Sequence, residues 1–153
     1  MHDTHAALTA WLTLLRALQL NSATILAALT QCNDVVALTH HSRASLHALG
    51  FVPAAAAHIA HPPAATIERD LHWLASSGAT LLPLTAPTYP PQLAAIADAP
   101  VALFVLGDTT LLMQPQLAVV GSREPTAAGR RFAAQLATNL CGAGLVVTSG
   151  LAR

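Results

Sequence analysis

Gly121-Ser122-Arg123 carries the most chemistry of any stretch in the chain. It follows a short apolar run, Leu117–Val120, and precedes Pro125-Thr126 and an Ala-rich stretch with helical character. That order reads as a strand, a tight polar turn and a helix start. Such a turn aims backbone N–H groups and the positive end of the helix dipole at one point, which suits a phosphate. Gly121 allows a ligand close to the backbone, Ser122 supplies a hydroxyl, and Arg123 supplies a planar fork of donors matched to phosphate oxygens. The turn alone fits equally an ordinary strand-to-helix connection with a solvated arginine.

A second turn changes the balance. Leu145–Thr148 is another short apolar run, and it ends in Ser149-Gly150. Between the two runs, Thr126–Cys141 reads as a helix with Phe132, Leu136 and Leu140 facing inward and Gly142 and Gly144 at its end. Strand, helix and strand over Leu117–Thr148 make a βαβ unit, whose ligands sit at the carboxyl ends of the strands. Both polar turns lie at that end, so an anion site becomes the favoured reading. Two other nucleotide motifs fail. Gly121 and Gly129 are too far apart for GxGxxG, and Gly142-Ala143-Gly144 precedes a strand instead of opening a helix. GxxxxGK[ST] is absent, as is any lysine to complete it. No GxSxG marks a nucleophile elbow.

The elements that must position these turns follow from 153 residues, room for one ordinary domain or two small ones. With 54% hydrophobic and 9% charged residues the chain reads as globular, and its zero formal net charge gives no bulk signal for nucleic acid. A polyanion site must then be a local arginine cluster. Cys32 and Cys141 form no CxxC, and His58 and His61, though three apart, lack the further ligands a metal needs. The start has no basic region before its apolar residues and does not read as a signal peptide, and those residues are spaced for an amphipathic helix. A cytoplasmic protein is expected.

Residues 1–78 read as a bundle of small helices. Leu8, Trp11, Leu12, Leu15 and Leu18 share one helical face. Asn21 or Ser22 caps a second helix with Ile25, Leu26 and Leu29 inward, Asn33-Asp34 starts a short third with Val35, Val36 and Leu38, and Ser42 caps a fourth that Gly50 closes. Ala54–Ala60 stops at His61-Pro62-Pro63. Thr66 is the expected cap of a last helix with Ile67, Leu71 and Leu74 inward, ended by Gly78; Trp73 reads as core. From 79 onward short strands take over. Ala79–Leu84 is followed by a proline-rich link and a short helix near Leu93 and Ile96. Val101–Leu106, apolar throughout, reads as a buried parallel strand. The expected fold is α/β: a helical bundle over 1–78, then the start of a Rossmann-like, mainly parallel doubly wound domain over 79–153.

Four blocks, YPPQL (89–93), DAPVALFVLG (98–107), AVVGSREPTAAG (118–129) and VVTSGLAR (146–153), resemble in order, spacing and identity the DprA/Smf family, DNA-processing proteins of natural transformation. The resemblance covers roughly Ala79–Arg153. It implies an extended Rossmann fold that binds single-stranded DNA, protects incoming strands, helps load the RecA recombinase, forms homodimers and is not an enzyme; it brings no cofactor. Carried over residue by residue, it implies phosphate-holding roles for Gly121, Ser122 and Arg123 in the first loop and Ser149, Gly150 and Arg153 in the second. The first half is compatible with a sterile-alpha-motif type of helical domain. Such proteins continue beyond the motif at Arg153, so the sequence reads as the N-terminal portion of a longer one; produced alone, the second half of this portion is expected to fold poorly, to self-associate or to be completed by further chain.

Two other functions compete. A Rossmann-type nucleotide-phosphate hydrolase or transferase would use the same Gly-Ser-Arg loop, with Glu124 as the one carboxylate beside it. The helical half alone would suit a protein–protein module. Aromatics are scarce, and with Phe132 expected inside, the residues account for holding a nucleic-acid backbone and not for contacting bases.

Overall fold

The computed structural model describes residues 2–17 and 19–150, without the side chains of residues 2 and 3; Leu18 of the first expected apolar face lies outside the described residues. The described residues are mixed α/β, mostly helical, with two small two-stranded sheets. It divides into two compact units, Met1–Thr109 and Thr110–Arg153.

In the first unit, six helices run in close succession: α1 (His2–Arg16), α2 (Ser22–Cys32), α3 (Val35–Thr39), α4 (Arg43–Ala48), α5 (Pro53–Ala60) and α6 (Ala64–Ser77). Their boundaries are set by side chains that satisfy orphan backbone donors. The Asn21 side chain accepts from the Thr24 N–H at 2.8 Å. Asp34 uses both carboxylate oxygens, accepting from Val36 and Ala37 at 3.1 Å each. Ser42 accepts from Ser45 at 3.2 Å. Asn33 and Gly78 end α2 and α6 in the left-handed region, at φ 55° and 71°. Thr66 is not the cap of α6: that helix starts two residues earlier, after Pro63, and the Thr66 hydroxyl accepts instead from Arg69 at 3.2 Å. The proline stops α5 and leads directly into α6, leaving no free turn for a threonine cap.

The helices bury one core, with Leu12, Leu38, Leu46 and Ala55 fully excluded from solvent and Phe51 and Ile59 beside them. Ala28, not Leu26, completes the inward face of α2; Leu26 is exposed. Arg16 clamps Asp70 in a bidentate pair, Nε and Nη2 donating at 2.8 and 2.6 Å, and so ties the last turn of α1 to α6.

The strands β1 (Thr80–Pro83) and β2 (Ala102–Val105), linked through the one-turn helix α7 (Pro91–Ala94), belong to this unit, and Leu81 and Ala102 enter its core. They pair antiparallel, Thr80 opposite Val105 and Pro83 opposite Ala102. This corrects the expectation that Val101–Leu106 is a buried parallel strand. A continuous apolar run does not fix strand direction, and here the link folds back on itself: the Tyr89 hydroxyl donates to the Pro100 carbonyl at 2.9 Å, returning the chain beside β1. One face of β2 stays open, where Phe104 and Trp73 of α6 meet edge to face at 5.6 Å between ring centroids, each 47% exposed. Trp73 is therefore a half-exposed residue and not a core one.

The second unit holds most of a short 3-10 turn at Thr109–Met113, then β3 (Gln116–Ala118), α8 (Ala127–Gly142) and β4 (Val146–Thr148). The strands β3 and β4 are parallel, Gln116 opposite Val146 and Ala118 opposite Thr148, so the expected βαβ unit forms. The four strands nevertheless make two separate pairs, one of each direction, rather than one parallel sheet.

Candidate nucleic-acid interface

The two polar turns lie side by side because the β3–β4 ladder carries on one step beyond its strands. The Val119 N–H donates to the Thr148 carbonyl at 2.8 Å, which brings Val119–Gly121 alongside Thr148–Gly150. At the other end the Gln116 side chain bonds the Thr148 hydroxyl across the pair and donates to the carbonyls of Leu111 and Leu112 at 3.2 and 3.1 Å, fixing where β3 begins.

Beyond Gly121 the first loop is held by its own polar groups. The Ser122 hydroxyl accepts from the Glu124 N–H at 3.1 Å, closing a local turn and leaving its proton free to donate elsewhere. Thr126 caps α8, its Oγ1 accepting from the Gly129 N–H at 3.1 Å. Gly129 has a definite reason to be glycine: a Cβ there would sit 3.3 Å from that same oxygen and crowd the cap. At Gly121 a Cβ would enter open space, so the surrounding protein does not require glycine there.

Loop, cap and second turn together enclose a concavity of about 890 Å³. Gly121, Ser122, Arg123, Ser149 and Gly150 all line it, so five of the six residues singled out from sequence converge. The sixth, Arg153, lies outside the described residues. Among the further lining residues, Arg130 and Phe132 were not placed there by sequence. Arg130 sits one turn after the cap, and its Nη1 donates to the Pro125 carbonyl at 3.2 Å. The available signal was its spacing, four residues beyond Thr126 on the same helical face. Phe132 also lines the concavity and is 70% exposed, which corrects its placement on a buried face. Two three-residue strands offer too little surface to cover the first two turns of α8. Glu124 is exposed and is not among the lining residues.

The charge of the chain is unevenly divided. Residues 110–153 hold four arginines (123, 130, 131 and 153) and a single carboxylate, Glu124; residues 1–109 hold three arginines and six carboxylates. The zero net charge thus conceals a basic segment that coincides with the two loops. Among the described residues no three His, Cys, Asp or Glu side chains cluster as metal ligands, and no helix is long and apolar enough to cross a membrane.

Comparison with known proteins bears on the same segment. The family model described as DNA recombination-mediator protein A matches residues 80–153. Protein Smf of Escherichia coli (strain K12) is 44% identical over 91 residues, 60% of this chain and 24% of that protein. The DNA processing protein DprA of Bacillus subtilis (strain 168) is 37% identical over 87 residues, 56% of this chain and 29% of that protein. The chain spans about a quarter of the length of these curated relatives. The matched residues contain both polar loops, the capped helix and the hairpin tied by Tyr89, and over residues 80–153 the chain is similar to the DprA/Smf proteins.

Proposed function

We propose that this chain holds the sugar–phosphate backbone of single-stranded DNA, as part of a recombination mediator that protects incoming strands during DNA uptake and helps load RecA. The observation that carries the reading is the convergence of Gly121-Ser122-Arg123 and Ser149-Gly150 on one concavity at the carboxyl ends of two parallel strands, beside the capped start of α8. Backbone N–H groups, a hydroxyl and a guanidinium there match phosphate oxygens, and the excess of arginine in residues 110–153 supplies the field. Arg153 extends the same role in the second loop. The parallel βαβ unit supports a Rossmann-like domain for the whole protein, with the helical bundle as a sterile-alpha-motif-type neighbour. The protein acts in the cytoplasm as a homodimer, without cofactor and without catalysis.

The competing nucleotide enzyme is less well supported. Its available carboxylate, Glu124, is exposed and outside the lining of the concavity. A general base must come within hydrogen-bond reach of the proton it takes.

The test is fluorescence anisotropy of the full-length protein with labelled single-stranded and duplex oligonucleotides over a salt series. Single strands are expected to bind in preference and to be released steeply as salt rises, because phosphate contacts displace counterions. Arg123→Ala is expected to weaken binding across sequences alike and to flatten the salt slope. Unchanged affinity in that variant removes Arg123 from the site, and binding of neither oligonucleotide removes the reading.

A further inference from the structure

We infer that Arg130 is a second phosphate-holding residue, so that the concavity takes two phosphates of one strand rather than the single phosphate of a mononucleotide. The inference rests on the reading above and deepens it. Arg123 lies in the loop before Pro125 and Arg130 in the first turn of α8 after it, and both line the same concavity. Pro125 stands between them in sequence, and its carbonyl accepts one N–H of Arg130 at 3.2 Å.

That bond orients the guanidinium without exhausting it. Arginine has five N–H donors in a fixed fork, and one of them is used here. A side chain already latched to the backbone loses less rotamer freedom on binding than a free one, which is what an anion-binding residue gains from pre-organisation. The next residue provides an internal contrast. Arg131 carries the same charge one position on and does not line the concavity. Two cations lining one concavity, one before and one after Pro125 in sequence, suit a chain of phosphates, which presents its charges in series.

The experiment uses the full-length protein, a labelled oligo-dT strand and a salt series, with three variants. Arg130→Gln keeps a polar side chain but removes the charge; it is expected to weaken binding about three- to tenfold and to lower the salt slope by about 0.7, the value of one single-strand phosphate contact. Arg130→Lys, which keeps the charge, is expected to retain the slope. Arg131→Gln is expected to change both quantities by less than Arg130→Gln. Wild-type affinity and slope in Arg130→Gln overturn the inference, and so does an equal loss in Arg131→Gln, which would mean a diffuse field with no placed contact. Weakening by Arg123→Ala without weakening by Arg130→Gln overturns this inference alone. Absence of single-strand binding in the wild-type protein overturns the functional reading along with it.

Discussion

The two compact units solve opposite problems. In Met1–Thr109 apolar residues at helical spacing meet one another and disappear from solvent, down to full burial at Leu12, Leu38 and Leu46. In Thr110–Arg153 no described residue is buried, and Val120 and Phe132 are 89% and 70% exposed. Yet the convergent polar loops belong to this second unit. Six helices around one another can close a core, whereas one helix over two three-residue parallel strands cannot, since parallel sheets need cover on both faces. The comparison teaches that periodicity predicts a face and not its burial: burial needs a partner element, and the capped loops of the second unit take their shape from local hydrogen bonds instead.

The most forceful way to break this contrast is to truncate one large apolar residue in each unit. Leu12→Ala removes a fully buried side chain and is expected to cost about 2–5 kcal/mol of unfolding free energy. Phe132→Ala removes a larger but mostly exposed side chain and is expected to cost under about 1 kcal/mol. Denaturant titrations followed by far-UV circular dichroism measure both. Equal costs would mean that Phe132 is covered in solution and that the second unit has a core of its own.

A smaller effect sharpens the comparison at the level of caps. Each unit has a helix start fixed by a side chain: Asp34 accepts from two backbone N–H groups before α3, and Thr126 from one before α8. Asp34→Ala is expected to lower the stability of the first unit by about 1–2 kcal/mol, since the helix it starts supplies Val35 and Leu38 to the core. Thr126→Ala is expected to act locally, speeding hydrogen exchange in the first turn of α8 without moving the main unfolding transition, because no buried residue depends on that turn. A shift of the main transition by Thr126→Ala would join the two units into one cooperative body.

Legibility followed the same line. Caps at Asn21, Asp34 and Ser42 were readable because their side chains act on residues two or three positions away. The βαβ unit and the meeting of its two loops were readable because short strands and one helix fix their own geometry. What failed was long-range. The direction of β2 depends on a link folded back through Tyr89 and Pro100, eleven residues apart in the chain, which no local pattern announces. Trp73 and Phe132 lie on apolar faces by spacing, but only the neighbours actually present decide their exposure. Arg130 carried a signal only in its spacing from Thr126, which marks a shared helical face and not a contact with the loop before it.

The smallest expected effect tests the contact that sets β2. Tyr89 is buried and its hydroxyl donates to the Pro100 carbonyl, so loss of that bond in Tyr89→Phe is expected to cost about 0.5–1.5 kcal/mol. Burial also pushes the phenol above its ordinary value, because the phenolate is poorly solvated there. The sign follows directly. An unfolded tyrosine releases its proton near pH 10, while the folded one still holds it, so the unfolded state binds fewer protons and stability falls as pH rises from about 10 through the higher folded value. Denaturation midpoints at pH 8 and pH 10.5 are expected to separate further in the wild type than in Tyr89→Phe, which has no phenol to ionise. An identical separation in both would mean that the Tyr89 hydroxyl is already open to water, and that the hairpin joining the first unit is held by its Leu81 and Ala102 contacts without help from the link.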